Sequence, residues 1–195
     1  ITATCGEQSA SCDISVSGIV DCYYELEQET ELTGSNYIDT GFKLCDEDKD
    51  FTIVLDATPG ATQIDGTIVV FQCLYEAGDY AGYSLNSLAG QSYRIIAGKT
   101  SQSSNMKRTS TTRFKFVLRH AVGGDTSSYF RTTDLTVNQS IKHGTQAVTG
   151  DPQNLLIGAY QNTSGIKGRY WTGTMHHFKV YNRALTDAEI EAYLA

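Results

Sequence analysis

Proline is scarce, with two in 195 residues, so few strands would be interrupted by a missing backbone donor. No run approaches the roughly 18 apolar residues that a membrane-spanning helix needs. Cations are in the minority: 15 Lys and Arg stand against 22 Asp and Glu, a net charge of −7. No basic stripe stands out, which argues against a nucleic-acid or other phosphate-binding surface. The acid excess alone speaks only to solubility. G-x-S-x-G, a P-loop, a G-x-G-x-x-G after a strand and H-E-x-x-H are all missing, so nucleophile-elbow, nucleotide and zinc-protease chemistry have no motif behind them. The chain opens on "ITATC", mid-strand in pattern and without an initiator methionine or signal peptide. It reads as a piece of a longer polypeptide.

What is plentiful is glycine (18), tyrosine (12), serine and threonine. That mix favours an all-β protein with many turns. Alternation is strict from the start. Ile1, Ala3 and Cys5 fall on one face, and Ala10, Cys12, Ile14 and Val16 alternate with polar neighbours after "GEQS". This predicts a hairpin with one apolar face. A lone hairpin is marginal in water, so it would need partner strands upstream. Residues 21–29 read as a linker. Strand-like runs follow, among them "DFTIVLDAT", "GTIVVFQCLYE", "YAGYSLNS", "SYRIIAGKT", "RFKFVLRHAV", "NLLIGAY" and "TMHHFKVY". Turn signals at Pro59-Gly60, Asp65-Gly66, Gly123-Gly124 and Gly150-Asp151-Pro152 separate them. Thr100 to Thr112 is polar and is expected to be an exposed loop. One helix is expected at the end. Thr186 is its N-cap, Glu189 completes a capping box, and Leu185 and Ile190 form a hydrophobic staple.

Two resemblances sharpen this. "TATC…SASC…V" resembles the last strands of a bacterial immunoglobulin-like domain of group 2, which would assign residues 1–20 to its tail. The closing segment resembles the end of a laminin G-like, concanavalin A-like domain. It is carried by Leu156, Ile157 and Gly158, then by Gly173, Met175, Phe178, Val180, Tyr181, Asn182, Arg183, Ala184, Leu185, Glu189 and Ile190. That resemblance spans about residues 30–195. It implies a jelly-roll sandwich of two antiparallel sheets closed by one short helix. Such residues specify architecture and leave chemistry open.

Each candidate site competes with a plainer structural role. His176 and His177 are neighbours on a strand and should face opposite ways, so they would not hold one metal ion together. "CDEDKDF" has calcium-like acid spacing, but an EF-hand would need Gly where Phe51 stands and Glu where Ala57 stands. Laminin G-like domains often carry calcium on loops, so the resemblance implies a possible Ca2+ drawn from Asp39, Asp46, Asp48 or Asp125, with Asp65 and Asp151 also on loops. Glu25, Glu27 and Glu29 resemble the acid strand of laminarinase-type glycosidases. Their central residue is Glu rather than Asp, and they precede the first core strand, so a solvated charge run is the better reading. The five cysteines, Cys5, Cys12, Cys22, Cys45 and Cys73, lack zinc or redox spacing and are expected as small thiols. Asn138 and Asn162 begin glycosylation sequons, discounted because the resemblances look bacterial or viral.

Sugar platforms are the remaining class, because aromatic faces stack on pyranose C–H groups. Candidates are Tyr80, Tyr83, Tyr93, Tyr160, Tyr170 and Trp171, with Asn86, Asn162, Asp79 and Arg169 as hydroxyl partners. The expectation is a non-catalytic adhesion module that binds glycans or a host cell surface. Its setting would be extracellular, as part of a bacterial surface protein or a phage virion. A decoration domain without sugar binding and a jelly-roll glycosidase are the alternatives.

Overall fold

Phe51 to Pro59 shows how the sheets are built. Phe51, Ile53, Leu55 and Ala57 enter the main core, while Val54 joins a second cluster on the opposite face and Asp56 meets Arg113 there. Period-two burial of this kind makes one strand serve two layers.

The structure, a computed structural model, describes residues 2–5, 8–11, 21–44, 49–61, 68–74, 82–87, 92–107, 109–145, 151–162, 165 and 167–195. The first strands, β1 (Thr2–Cys5) and β2 (Gln8–Ser11), pair with each other. Then come β3 (Cys22–Glu25), β4 (Thr30–Thr33), β5 (Ile38–Asp39), β6 (Phe51–Pro59), β7 (Ile68–Leu74) and β8 (Gly82–Ser87). Next are β9 (Ser92–Gly98), β10 (Thr100–Lys107), β11 (Phe114–His120), β12 (Asp125–Thr132) and β13 (Asn138–Thr145). The last are β14 (Leu156–Ile157), β15 (Tyr160–Gln161), β16 (Lys167–Gly168), β17 (Thr172–Tyr181) and the helix α1 (Asp187–Leu194). One sheet runs β13-β12-β11-β6-β17-β3, with β4 also on β17, and the other runs β10-β9-β8-β7-β14-β5. Their strand pairs are antiparallel. This is the expected all-β jelly-roll sandwich.

The core between the sheets takes Phe71, Leu85, Tyr93 and Ile95 from one side and Leu55, Phe114, Phe116 and Phe178 from the other. Each such side chain contributes about 1.5–3 kcal/mol on burial. Two bulges keep the packing continuous. In β7 the register shifts between Val69 and Phe71, so Val70 and Phe71 both enter the core. In β17 it shifts between Met175 and His177, which lets Met175 and Phe178 face inward although they are three residues apart. A bulge adds one residue and resets the alternation.

The helix closes the seven-stranded sheet from outside. Leu185, Ile190 and Leu194 pack on Val54 and Val117. The capping box forms as expected: Glu189 N donates to Thr186 Oγ1 at 3.3 Å and Thr186 N donates to Glu189 Oε2 at 2.8 Å. Arg183 grips the same carboxylate through two bonds of 2.9 and 2.7 Å. That guanidinium, with the Thr186 donors, lowers the Glu189 pKa to about 2. No basic residue occupies the last turn of α1. Lys115 supplies the cation from β11 instead, donating to the Tyr193 carbonyl at 2.8 Å.

Several expectations need correction. Within the stretch read as linker, residues 22–25 form β3 and pair with β17. Residues 100–107 are not loop but β10, the sheet edge on β9, where serine and threonine serve well because one flank faces water. In the first hairpin Cys5 pairs opposite Gln8 and Ala3 opposite Ala10. Cys22 is a free thiol and Cys73 Sγ donates to Gln153 O at 3.4 Å, while Cys12 and Cys45 lie outside the described residues.

Two glycines of the closing motif have steric reasons. Gly158 has φ +83°, and a Cβ there would sit 2.8 Å from Leu32. At Gly173, φ is +148° and a Cβ would reach 2.6 Å from the Trp171 ring. Replacing Gly173 by alanine combines backbone strain with overpacking, so it should cost roughly 2–4 kcal/mol in urea denaturation. A loss under about 0.5 kcal/mol would contradict this packing.

Burial also lowers the pKa of His120 and His143. Both are neutral in the fold, so below the ordinary histidine value of about 6.5 the unfolded chain takes up protons that the folded chain refuses. Stability should therefore be full above that pH and fall as the pH drops below it. Urea midpoints on either side of that pH measure the drop, and a flat profile would contradict it.

Candidate functional site

Strand parity decides which side chains the six-stranded sheet turns outward. In β8, Tyr83 and Leu85 go to the core, leaving Ser84 and Asn86 outside; in β9, Tyr93, Ile95 and Ala97 go in, leaving Arg94 outside. Gln72 of β7 lies opposite Ser84. Asn86 Nδ2 donates to Ser84 Oγ at 2.8 Å, and Arg94 Nε donates to Asn86 Oδ1 at 3.1 Å. A polar row thus crosses this outer face. Ser84 and Asn86 are shielded, while Arg94 is half-buried and Ser101 and Ser103 on β10 are exposed.

The far end of the row is aromatic. Tyr170 makes a parallel bridge to Val69, itself opposite Asn86. Tyr37 stacks on Tyr170 with ring centroids 6.2 Å apart. Lys167 Nζ lies 5.4 Å from the Tyr37 ring centre, and the Arg169 guanidinium lies 4.2 Å from that of Tyr160. Pairing of β15 with β16 sets Tyr160 opposite Gly168. Gln72 Nε2 ties this hairpin to β7 by donating to Gln161 O at 2.9 Å. Arg169 adopts φ +54°, costly for a residue with a side chain. Its carbonyl is pinned by Val69 N at 2.9 Å. Three tyrosines and two cations therefore form one surface cluster at the edge of the polar row. Its chemistry suits a polar ring with C–H faces: aromatic planes for stacking, cations and amides for hydroxyls or an acid group.

The expected sugar platforms divide accordingly. Tyr160, Tyr170 and Asn162 are partly exposed and belong to this region. Trp171 is not a platform: it is 0% exposed and its Nε1 donates to Tyr93 OH at 3.3 Å. Tyr83 and Tyr93 are core residues too, with Tyr83 edge-on to Phe51 at 4.8 Å. Each points inward on a strand whose alternate residues point out. Tyr80 and Asp79 lie outside the described residues. Tyr37, Lys167 and Arg94 were missed. Arg94, in "YRII", carried the signal of a charged residue alternating with apolar ones.

Among the described residues the metal candidates do not gather. Asp39 Oδ1 accepts from Gly41 N at 3.1 Å and Asn154 Nδ2 at 2.9 Å, while Asp125 begins β12 on the other sheet. Asp151 pairs with Lys43 at 3.2 Å. Asp46, Asp48 and Asp65 lie outside the described residues. Among the described residues no three His, Cys, Asp or Glu side chains form a metal-holding group.

His176 and His177 correct a simple expectation. The bulge breaks the alternation, and both rings meet groups on the outer side of the seven-stranded sheet. His176 pairs with Glu29 and, at 2.8 Å, with Thr58 Oγ1. His177 meets Tyr193 OH at 3.2 Å and Glu25 at 3.7 Å. Glu25 also holds Lys179 at 3.1 Å. The Glu25–Glu29 run breaks between β3 and β4 rather than forming one acid-lined strand, and it lies on the sheet opposite the tyrosines.

The fold and the closing-strand geometry agree with sequence comparison, which matches residues 32–191 to a family model. The chain belongs to the concanavalin A-like lectin/glucanases superfamily. Superfamily folds recur in solved structures. A Ruminococcus gnavus IT-sialidase CBM40 bound to α2,6-sialyllactose superposes with TM-score 0.65 at 14% identity, covering 89% of this chain and 100% of that one. The NanB sialidase of Streptococcus pneumoniae gives 0.62 at 13%, covering 89% of this chain but 28% of its own. Trypanosoma rangeli sialidase in complex with sialic acid gives 0.56 at 22%, covering 75% and 23%. At such identities the likeness shows the fold alone. No curated protein sequence matches the chain. No helix among the described residues is long and apolar enough to cross a membrane.

Because Trp171 is a core residue of this superfamily domain, Trp171→Ala should cost about 3–5 kcal/mol. Its fluorescence should resist iodide quenching and ignore added glycans. Ready quenching in the folded protein would contradict its placement.

Proposed function

We propose that this domain is a non-catalytic carbohydrate-binding module, the ligand lying on the six-stranded sheet against the tyrosine cluster. The observation that carries the reading is the cluster itself: Tyr37 stacked on Tyr170, with Lys167 and Arg169 over neighbouring rings. The rings present apolar planes, and the cations beside them suit hydroxyl-rich or acidic sugars. The sialyllactose-bound CBM40 of R. gnavus, alike in fold, supports trying sialylated glycans first. In this reading the module serves a larger bacterial surface or phage virion protein, outside the cell, where many copies multiply a weak site. Residues 1–20 would belong to an immunoglobulin-like stalk before it. Glycosidase chemistry has less support, since Glu25 and Glu29 are engaged with Lys179, His177 and His176 on the other sheet.

Glycan-array binding followed by calorimetry with sialyllactose and lactose tests the proposal. Tyr37 is exposed, and Asn tolerates the φ of Arg169, so Tyr37→Ala and Arg169→Asn should leave folding intact. Each should weaken glycan binding by roughly tenfold or more, as loss of a central Tyr or Arg commonly does. Silence across the array, or sugar release from any glycan that binds, would overturn it.

A further inference from the structure

The outer face of the seven-stranded sheet carries a second feature, away from the tyrosines. A half-open cavity of about 460 Å3 lies beside the C-terminal end of α1 and is lined by Asp56, Arg113, Lys115, Arg131, Thr132 and Leu135, among others. Its size falls within the range of small-molecule sites. Of its three cations, Arg113 pairs with Asp56 and Arg131 with Glu191, while Lys115 has no carboxylate partner among the described residues.

Their donors are only partly used. Arg113 gives Nε and Nη2 to Asp56 at 2.7 Å each. Arg131 gives Nε to Asn138 at 3.2 Å and Nη2 to Glu191 at 3.0 Å. Lys115 gives one bond to the Tyr193 carbonyl. An arginine has five N–H donors and a lysine three. Both Nη1 groups and part of the Lys115 ammonium therefore stay uncommitted among the described residues. Fastening α1 to the sheet accounts for the bonds that are made. It does not account for the Lys115 charge and the two uncommitted Nη1 groups gathered in one concavity, where low-dielectric walls strengthen attraction for an anion. Leu135 stands at the rim, 65% exposed and at φ +59°, and offers an apolar edge.

We propose that this cavity binds an acidic monosaccharide or a sugar-acid terminus of similar size, its carboxylate held by Arg113, Arg131 and Lys115. It is a separate site and does not rest on the tyrosine cluster. Guanidinium–carboxylate bonds of this kind are directional and strong where water is partly excluded.

The test is an amide NMR titration of the chain at constant ionic strength with glucuronate, glucose, sulfate and phosphate. Glucuronate should shift amides near residues 113–115, 131–135 and 193–195, and glucose should shift none of them. Arg131→Gln should weaken glucuronate by about tenfold or more. Leu135→Asp should also weaken it by adding a rim carboxylate where Asp accepts a positive φ, touching none of the ion pairs. Tyr37→Ala should leave it unchanged. Equal binding of sulfate and phosphate would show bare-ion attraction and overturn the proposal. So would unshifted amides, or shifts that survive both rim variants. Failure of array binding with these shifts intact would sink the tyrosine site and leave this one standing.

Discussion

The register of β17 holds the sandwich together. This ten-residue strand pairs with β6 along one side and with β4 and then β3 along the other. Through it the end of the chain is locked between segments from the beginning. Met175, Phe178 and Val180 point to the core, while Lys179 and Tyr181 face outward. A slip of one residue would exchange these sets, burying an ammonium and exposing a phenylalanine. The bulge at His176 makes the pattern consistent over the whole strand. Without it, Met175 or Phe178 would have to leave the core.

From that register the two outer faces acquire different characters. Leaving β17, the chain turns at Asn182 and Arg183 and lays α1 across β6 and β11 on the seven-stranded side. Leu185, Ile190 and Leu194 cover Val54 and Val117 there, and Arg119, Arg131 and Arg183 tie the helix region by charge. Among the described residues no helix covers the six-stranded side. Its outward side chains include Gln72, Ser84, Asn86 and Arg94, polar groups bonded to one another or to the β15–β16 hairpin, with the apolar Ile96 and Leu156 beside them. Entry to β17 works on this side as well. Trp171 N donates to Gly158 O at 3.0 Å and sinks its ring into the core, which leaves the preceding Arg169 and Tyr170 at the surface.

Much of this was legible in the sequence because it is local. Strand-like runs between turn signals named β6, β11 and β17, and Thr186 with Glu189 announced α1. The motif glycines were legible through the resemblance, although their causes are partly long-range: Gly158 must clear Leu32, and Gly173 must clear the Thr58 carbonyl and the Trp171 ring. The misreadings were all non-local. Thr100 to Lys107 has no apolar rhythm, and only β9 beside it makes it a strand. Tyr83, Tyr93 and Trp171 are amphipathic, so their chemistry allows either face. Parity decides, and parity has meaning only once the core side of each strand is known. Tyr37 was overlooked because its partner, Tyr170, is far along the chain. The histidine pair was misjudged because a bulge is invisible in a pattern that assumes regular alternation.

The tyrosine cluster gains its meaning from how it is held. Tyr160 sits in a hairpin tied to β7 through Gln72, and Tyr170 sits in a bridge to Val69. Arg169 keeps an unfavourable φ because Val69 N pins its carbonyl. Strain of this sort persists only where the surroundings over-determine it. Here its effect is to hold the guanidinium against the Tyr160 ring rather than let it range through solvent. A flexible arginine must give up rotamer freedom when a ligand arrives, about 0.5–1.5 kcal/mol for such a side chain. One already stacked has lost most of that freedom on folding. Small polar rings bind weakly because each contact is small, so a surface ordered in advance recovers what a mobile one would lose. That argument concerns rigidity alone, and it applies to a neutral sugar and a sialylated one alike.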